Sequence, residues 1–212
     1  MDQSVVTALE RLKNEMEECT NCPLAESSQQ LVFGEGNPSS PLVIVGEGPG
    51  EREAAEGRPF VGRAGQLLDK LMASAHLSRE EVWITNVLKR RASRVVAGHV
   101  RNRLPKANEL AYYREYLNDE LRIISPKIIL CLGNLAANAL IHRNFRMTQE
   151  HGQWFSGPSG KKLMATYHPA YILRLEGAEY EQVMFQTKED FAAAAAEFNA
   201  LRSEDARSLA AG

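Results

Sequence analysis

The sequence predicts an α/β fold in which helices cover both faces of a central parallel sheet. Short apolar runs, typical of strands buried on both faces, alternate with longer segments in which apolar residues recur at helical spacing. The chain has 212 residues, of which 44% are hydrophobic, enough for one domain with a substantial core. We therefore predict a single domain over residues 1–212, built in three layers (αβα) around four parallel strands.

Four apolar runs are the predicted strands, at residues 42–45, 82–84, 128–132 and 162–167. Helical spacing predicts helices at residues 64–75, 107–124 and 135–141, and two more at residues 5–16 and 185–201. The last of these holds five consecutive alanines between Phe191 and Phe198, which predicts a helix packed closely against the domain. The carboxyl ends of the strands should meet at one edge, where such folds bind ligands.

Composition and charge exclude several classes of protein. The 25 basic and 27 acidic residues give a formal charge of −2, and so low a charge with this hydrophobic content excludes global disorder. The longest apolar stretch, residues 127–141, is too short to span a bilayer. Three cysteines argue against a disulfide framework, and Met1 to Ser4 do not begin a secretory signal. We expect a cytoplasmic protein.

A run of basic residues follows the second predicted strand. Residues 89–106 contain no acid and seven basic side chains, which are Lys89, Arg90, Arg91, Arg94, Arg101, Arg103 and Lys106. Such a run can be a loop whose charges only keep it soluble. A cluster of one sign in an otherwise balanced chain favours a polyanionic partner.

A glycine-rich turn, residues 46–50, follows the first predicted strand. It does not match a dinucleotide fingerprint, because the third glycine would fall at Glu51, and no Gly-Lys-Ser/Thr follows to make a phosphate loop. It can be a turn that needs glycine for positive φ. It can equally let a ligand approach the backbone beside the carboxylate of Glu47.

Three further motifs each have a structural and a functional interpretation. Phe60 stands between glycines ahead of a helix, and its ring is either part of the core or a pocket wall for a planar ligand. Asn86, at the end of the second strand, is a turn former or a reader of base edges. His168, before a proline at the fourth strand end, is structural or catalytic.

With these motifs the sequence resembles the family 4 uracil-DNA glycosylases of bacteria and archaea, from about Cys19 to Arg174. The motifs that carry the resemblance are Gly46-Glu47-Gly48-Pro49-Gly50, Gly57-Arg58-Pro59-Phe60-Val61-Gly62-Arg63-Ala64-Gly65, Thr85-Asn86-Val87 and His168-Pro169-Ala170. The resemblance implies the uracil-DNA glycosylase fold, and a DNA repair enzyme that flips uracil out of DNA and hydrolyses its N-glycosidic bond, leaving an abasic site.

The resemblance also implies roles for individual residues. Uracil would stack on Phe60, and Asn86 would bind its polar edge, with Gly46 and Gly48 leaving room for the base. His168 would donate to O2, and Glu47 would position or activate the water. Either Tyr171 or Ile172 would fill the gap left by the flipped nucleotide. The expected partner is uracil-containing DNA, bound by a monomer through Lys89, Arg91, Arg94, Arg101, Arg103, Pro169, Tyr171, Ile172 and Arg174.

The sequence departs from the family at its iron–sulfur ligands. Family 4 enzymes hold a [4Fe–4S] cluster with four cysteines, of which only Cys19 and Cys22 are present here. Arg90 and Tyr113 stand at the other two positions. Two thiolates are too few for the cluster, so we expect no cofactor and interpret the pair as vestigial. A zinc site with two of the five histidines is the alternative.

The loop after Asn86 is a second departure. Its length resembles a related branch that binds uracil-DNA covalently through a loop histidine. Asn102 stands at the position of that histidine, and His99 lies three residues before it. This leaves a rival function, a protein that holds uracil-DNA or abasic DNA with little turnover. Glu47, Asn86 and His168 together favour the enzyme, because a binding protein has little need of a carboxylate that positions water.

Overall fold

The structure, a computed structural model, describes residues 3–20, 22–25 and 30–210. Its eight strands are β1 (Gly34–Gly36), β2 (Leu42–Gly46), β3 (Trp83–Asn86), β4 (Ser93–Val96), β5 (His99–Asn102), β6 (Ile128–Leu132), β7 (Phe155–Ser156) and β8 (Lys162–Thr166). Six of them form the central sheet, in the order β1-β3-β2-β6-β8-β7. The other two, β4 and β5, pair only with each other.

The four inner strands of the central sheet are parallel, as the sequence predicts. β3, β2, β6 and β8 are joined by parallel pairings such as Ile44 with Ile84 and Ile44 with Leu130. Short antiparallel strands, β1 and β7, extend the sheet at its two edges. These edge strands have three and two residues, too few for an alternating pattern to be recognised in the sequence.

The helices lie at α1 (Gln3–Glu18), α2 (Glu51–Glu56), α3 (Arg63–Ser74), α4 (Ala107–Ile124), α5 (Asn134–Leu140), α6 (Met147–Glu150), α7 (Pro169–Ile172) and α8 (Gly177–Ala210). A 3₁₀ turn covers Pro158–Gly160. All five predicted helices are present, and α8 is longer than predicted at both ends. No helix within the described residues is long and apolar enough to cross a membrane.

The core lies on both faces of the sheet. Every residue of β2 and β6 is buried, which explains their uninterrupted apolar sequences. On α8, the alanine run is indeed a packing surface, because Phe191, Ala194 and Phe198 are buried against the domain. Small side chains let the helix axis approach the sheet between the two aromatic anchors.

A buried polar network supports the end of β3. The ammonium group of Lys89 is fully buried, pairs with Glu120 and donates to the carbonyl oxygen of Phe33 (2.9 Å). Trp83 Nε1 donates to the same carboxylate at 2.8 Å. The prediction that Lys89 contacts DNA is therefore wrong, because its charge is neutralised inside the protein.

Candidate functional site

A cleft of about 940 Å³ opens where the four parallel strands end. Glu47 follows β2, Asn86 ends β3, Gly133 follows β6 and His168 follows β8 by two residues. All four line this cleft. Backbone bonds hold the strand ends together: the N–H of Val87 donates to Gly46 (3.0 Å) and that of Gly133 to Thr166 (2.9 Å). The parallel order of the sheet thus brings together side chains that are distant in the sequence.

Glu47 and His168 face each other across Gly133. A Cβ built on Gly133 would lie 2.7 Å from Glu47 Oε1 and 3.0 Å from His168 Cβ, and φ there is +89°. Only glycine suits that position. Burial raises the pKa of Glu47, while an N–H bond from Leu135 and the charge of Arg174 act in the opposite direction. Gly133 is not among the residues predicted from the sequence, where its only signal is its place after a buried strand.

His168 is held as a neutral hydrogen-bond donor. Its Nδ1 accepts a bond from the Ala170 N–H at 3.1 Å, so the ring proton is on Nε2. Burial, assisted by the positive charge of Arg174, lowers the pKa of His168 to about 4. The imidazole is therefore uncharged at neutral pH and can donate from Nε2.

Asn86 and Phe60 form the other side of the cleft. A side chain at Gly46 would collide with both Asn86 Oδ1 and the Phe60 ring, so the glycine is required for their approach. Asn86 is 2% exposed and its Oδ1 is buried without a hydrogen-bond partner in the described structure. A buried acceptor left unpaired indicates a ligand that donates to it. The Phe60 ring lies 5.9 Å from that of His168, with 30° between their planes.

The residues predicted to bind DNA are divided between the cleft and its surroundings. Tyr171, Arg174 and Arg103 line the cleft. The guanidinium of Arg103 forms two bonds with Glu109, at 2.6 and 2.8 Å, which sequence alone could not show. Pro169 and Ile172 are buried in α7, so the predictions that they contact DNA are wrong. Helical packing turns Ile172 towards the core and leaves Tyr171 at the cleft.

The basic run forms a hairpin rather than a loop. Arg94 lies directly opposite Arg101 in the β4–β5 pairing, and both side chains are exposed. Ala97 and Gly98 make the turn with φ of +50° and +78°, a two-residue turn typical of hairpins. Arg91 bonds to Asn102 (2.7 Å) and lies 3.6 Å from Glu51, which attaches the base of the hairpin to the cleft rim. The two-residue turn between valine-rich segments was the signal for this hairpin in the sequence.

The four positions that correspond to the cluster ligands lie together. The Tyr113 hydroxyl donates to the carbonyl oxygen of Pro23 and interacts with the Cys22 thiol. Burial raises the pKa of both Tyr113 and Cys22, and the positive charge of Arg90 acts in the opposite direction. Tyr113 is 1% exposed, so its ring is packed inside the fold beside these groups. Among the residues that the structure describes, no group of three His, Cys, Asp or Glu side chains could hold a metal ion. Of the four positions only Cys19 and Cys22 carry thiols, so these residues do not supply the donor set of a [4Fe–4S] cluster, and no described histidine joins the two cysteines in a zinc site.

Comparison with known proteins identifies the family of the chain. The model of the uracil DNA glycosylase superfamily matches residues 33–198. A type-4 uracil-DNA glycosylase of Thermotoga maritima is 36% identical over 179 residues, which cover 84% of this chain and 90% of that protein. One of Archaeoglobus fulgidus is 37% identical over 178 residues, covering 78% and 83%. The chain belongs to the uracil-DNA glycosylase superfamily and, within it, to the type-4 uracil-DNA glycosylases.

Proposed function

We propose that this protein excises uracil from DNA by hydrolysis of the N-glycosidic bond and leaves an abasic site. The observation that carries the proposal is the buried, unpaired Oδ1 of Asn86 beside the Phe60 ring. Uracil matches both, with a planar ring to stack and an N3–H to donate. Relatives whose sequences match most of this chain are named type-4 uracil-DNA glycosylases, which supports the same activity for this protein.

The base is recognised by its polar edge. Asn86 offers an acceptor for N3–H and an amide donor for O4 of uracil. Cytosine would present an unprotonated N3 to the acceptor and an amino group to the donor, so both contacts would be lost. Sites built around buried polar groups discriminate strongly, because the wrong ligand leaves those groups unpaired.

The glycosidic bond breaks with its electron pair passing to the base. Negative charge then grows on uracil O2, where the His168 Nε2–H donates a hydrogen bond, an effect of about 3–4 kcal/mol on the barrier. The sugar becomes cationic, and the Glu47 carboxylate stabilises it. The oxygen of a water molecule bonds to C1′ and one of its protons passes to Glu47. The released uracil anion takes up a proton from solvent, and Glu47 returns its proton to solvent, which restores the carboxylate.

DNA would bind across the cleft and along the hairpin. Two arginines opposite each other repel, so Arg94 and Arg101 favour a polyanion that neutralises them. Tyr171 would fill the gap left by the flipped nucleotide, because it lines the cleft. Its ring is held by stacking on Tyr167, with the ring centroids 5.8 Å apart, and by the Arg174 guanidinium above it. Arg174 and Arg91 would contact phosphates at the rim.

We further propose that the enzyme is a cofactor-free monomer of a single domain and that it acts in the cytoplasm. The mismatch at Arg90 and Tyr113 supports the absence of a cluster. The covalent alternative has less support, because His99 lies beside the hairpin turn while Asn102 is the residue that lines the cleft. Asn102 is an amide, which is a poor nucleophile at carbon.

A gel assay with a uracil-containing oligonucleotide tests the function. Wild-type protein should produce alkali-labile cleavage at the uracil, and His168→Ala and Glu47→Ala should each slow it by about a hundredfold. Circular dichroism should show both variants folded. A denaturant-resistant slow band would instead indicate a covalent complex, and binding without cleavage would indicate the rival function.

A further inference from the structure

The backbone of Phe60 is held in an uncommon conformation. Its φ is +54°, in the left-handed region that residues other than glycine seldom adopt. Such a conformation costs free energy and persists only where the surroundings hold it. Residues 57–62 are called the Phe60 loop below. The contacts that hold this loop matter, because its geometry sets where the aromatic ring lies in the cleft.

Glu53 holds the loop on the side that follows Phe60. Its Oε1 accepts the N–H of Val61 at 2.9 Å and the N–H of Gly62 at 2.8 Å. The side chain extends from α2, and Glu53 itself is 9% exposed. One carboxylate oxygen that accepts two N–H bonds fixes both peptide groups relative to that helix.

Arg79 holds the loop on the opposite side. Its guanidinium donates to the carbonyl oxygens of Phe60 (2.5 Å) and Pro59 (3.2 Å). Two carboxylates orient this guanidinium: Glu35 at 2.8 Å and Asp69 at 2.6 Å. Phe60 is thus fixed by its own carbonyl and by the N–H groups of the next two residues.

Close packing leaves the loop no room to relax. A side chain at Gly65, the third residue of α3, would collide with the Phe60 backbone. The loop therefore lies directly on the helix. Glu53 and Arg79, together called the clamp below, hold it there through hydrogen bonds to its backbone.

We propose that Glu53 and Arg79 are positioning residues, which set the position of the Phe60 ring and with it the strength of base recognition. This inference rests on the proposed function of the cleft. Neither residue needs to touch the substrate, and the effect passes through the backbone of the loop.

A double-mutant cycle tests the proposal. In the wild-type background Phe60→Ala should raise KM for a uracil-containing oligonucleotide about fivefold or more, the range for loss of base stacking. Arg79→Ala should raise KM by a similar factor with kcat little changed. In the Arg79→Ala background, Phe60→Ala should add less than about twofold, because the ring is already misplaced. Fully additive effects would overturn the proposal.

Matched variants separate positioning from simple destabilisation. Arg122 pairs with Asp119 (2.6 Å) on α4, outside both the loop and the cleft lining, so Arg122→Ala should leave KM unchanged. Glu53→Gln keeps an acceptor oxygen and should retain most of the affinity that Glu53→Ala loses. If Arg122→Ala raises KM as much as Arg79→Ala, the contacts of Arg79 with the loop are not the cause.

Amide hydrogen exchange provides a measurement that does not depend on catalysis. The N–H groups of Val61 and Gly62 should exchange at least about tenfold faster in Glu53→Ala, whereas amides in β2 should be unaffected. Unchanged exchange would overturn the clamp even in an active enzyme. Absence of excision by the wild type would refute the proposed function instead, and the exchange result would still decide whether Glu53 holds the loop.

Discussion

At the scale of single residues, the cleft holds two titratable groups whose pKa values move in opposite directions. Burial raises the pKa of Glu47 and lowers that of His168 to about 4. Burial disfavours the charged form of each group, so it favours proton uptake by the carboxylate and keeps the imidazole neutral. This is the division of tasks that the hydrolysis needs: Glu47 receives a proton and His168 donates a hydrogen bond without a change of charge.

The pH dependence of kcat/KM should therefore report Glu47. The carboxylate is the active form, so activity should fall as pH drops through its pKa, and burial places that limb above the ordinary value of 4.5. Glu47→Gln should be about a hundredfold slower and should lack the limb. Rates measured from about pH 4 to 9 in both proteins check this. A limb near about pH 6.5 that persists in Glu47→Gln would show that His168 titrates there.

Asn86 should decide which base is excised. An aspartate at this position offers only acceptors, which no longer suit O4 of uracil but suit the amino group of cytosine. We expect Asn86→Asp to lose at least about a hundredfold in uracil excision and to gain weak cytosine excision. Parallel assays on oligonucleotides that carry one uracil or one cytosine target measure both. Full uracil activity in the variant would mean that Asn86 does not read the base.

At the scale of elements, the β4–β5 hairpin adds an exposed basic surface beside the cleft. Val95 is paired with Val100 on one face, and Arg94 with Arg101 on the other. Val95 is 71% exposed and Val100 51%, so neither side chain helps to form the core. We therefore expect this element to serve binding rather than core packing.

Replacing both hairpin arginines should weaken DNA binding without slowing the chemical step. In Arg94→Ser/Arg101→Ser we expect a higher KM, an unchanged kcat and a salt dependence of log K that is shallower by about 0.9 per lost phosphate contact. Titrations at several salt concentrations on duplex DNA measure the slope. Arg202→Ser, which removes an exposed arginine of α8 that pairs with Glu81 (2.6 Å), is the matched control. Equal slopes in all three proteins would exclude the hairpin from the DNA interface.

At the scale of the whole molecule, contacts around Cys19 and Tyr113 connect the N-terminal segment to the rest of the fold. Cys19 Sγ lies 3.1 Å from the Tyr112 hydroxyl, and the Tyr113 hydroxyl donates to Pro23. These contacts join the segment after α1 to α4. The aromatic side chains of α4 thus connect this segment to the rest of the fold by hydrogen bonds.

The purified protein should contain no stoichiometric iron and show no absorbance at about 400 nm. Tyr113→Ala should lower the free energy of unfolding by about 3–5 kcal/mol, the cost of emptying a buried aromatic site. Tyr113→Phe should cost only about 1 kcal/mol, because a single hydrogen bond is lost. Iron analysis and urea denaturation check these values. Four irons per chain, or an unchanged free energy of unfolding in Tyr113→Ala, would contradict this view of the site.

Short-range patterns in the sequence are sufficient to predict the four inner strands, the five main helices and the residue types of the cleft. Buried parallel strands are continuously apolar, and the motif residues occur where such strands end. Gly46, Glu47, Asn86 and His168 can therefore be placed at one sheet edge from the sequence alone. The same reasoning cannot separate the exposed from the buried members of the basic run.

The contacts of charged and amphipathic side chains depend on the tertiary structure. Lys89 and Arg101 belong to one basic run, yet Lys89 is paired with Glu120 inside the core while Arg101 projects from a hairpin. Tyr171 and Ile172 are adjacent, but one lines the cleft and the other is buried. The free energy of a charged or amphipathic side chain depends on partners far away in the chain, and only the folded arrangement supplies them.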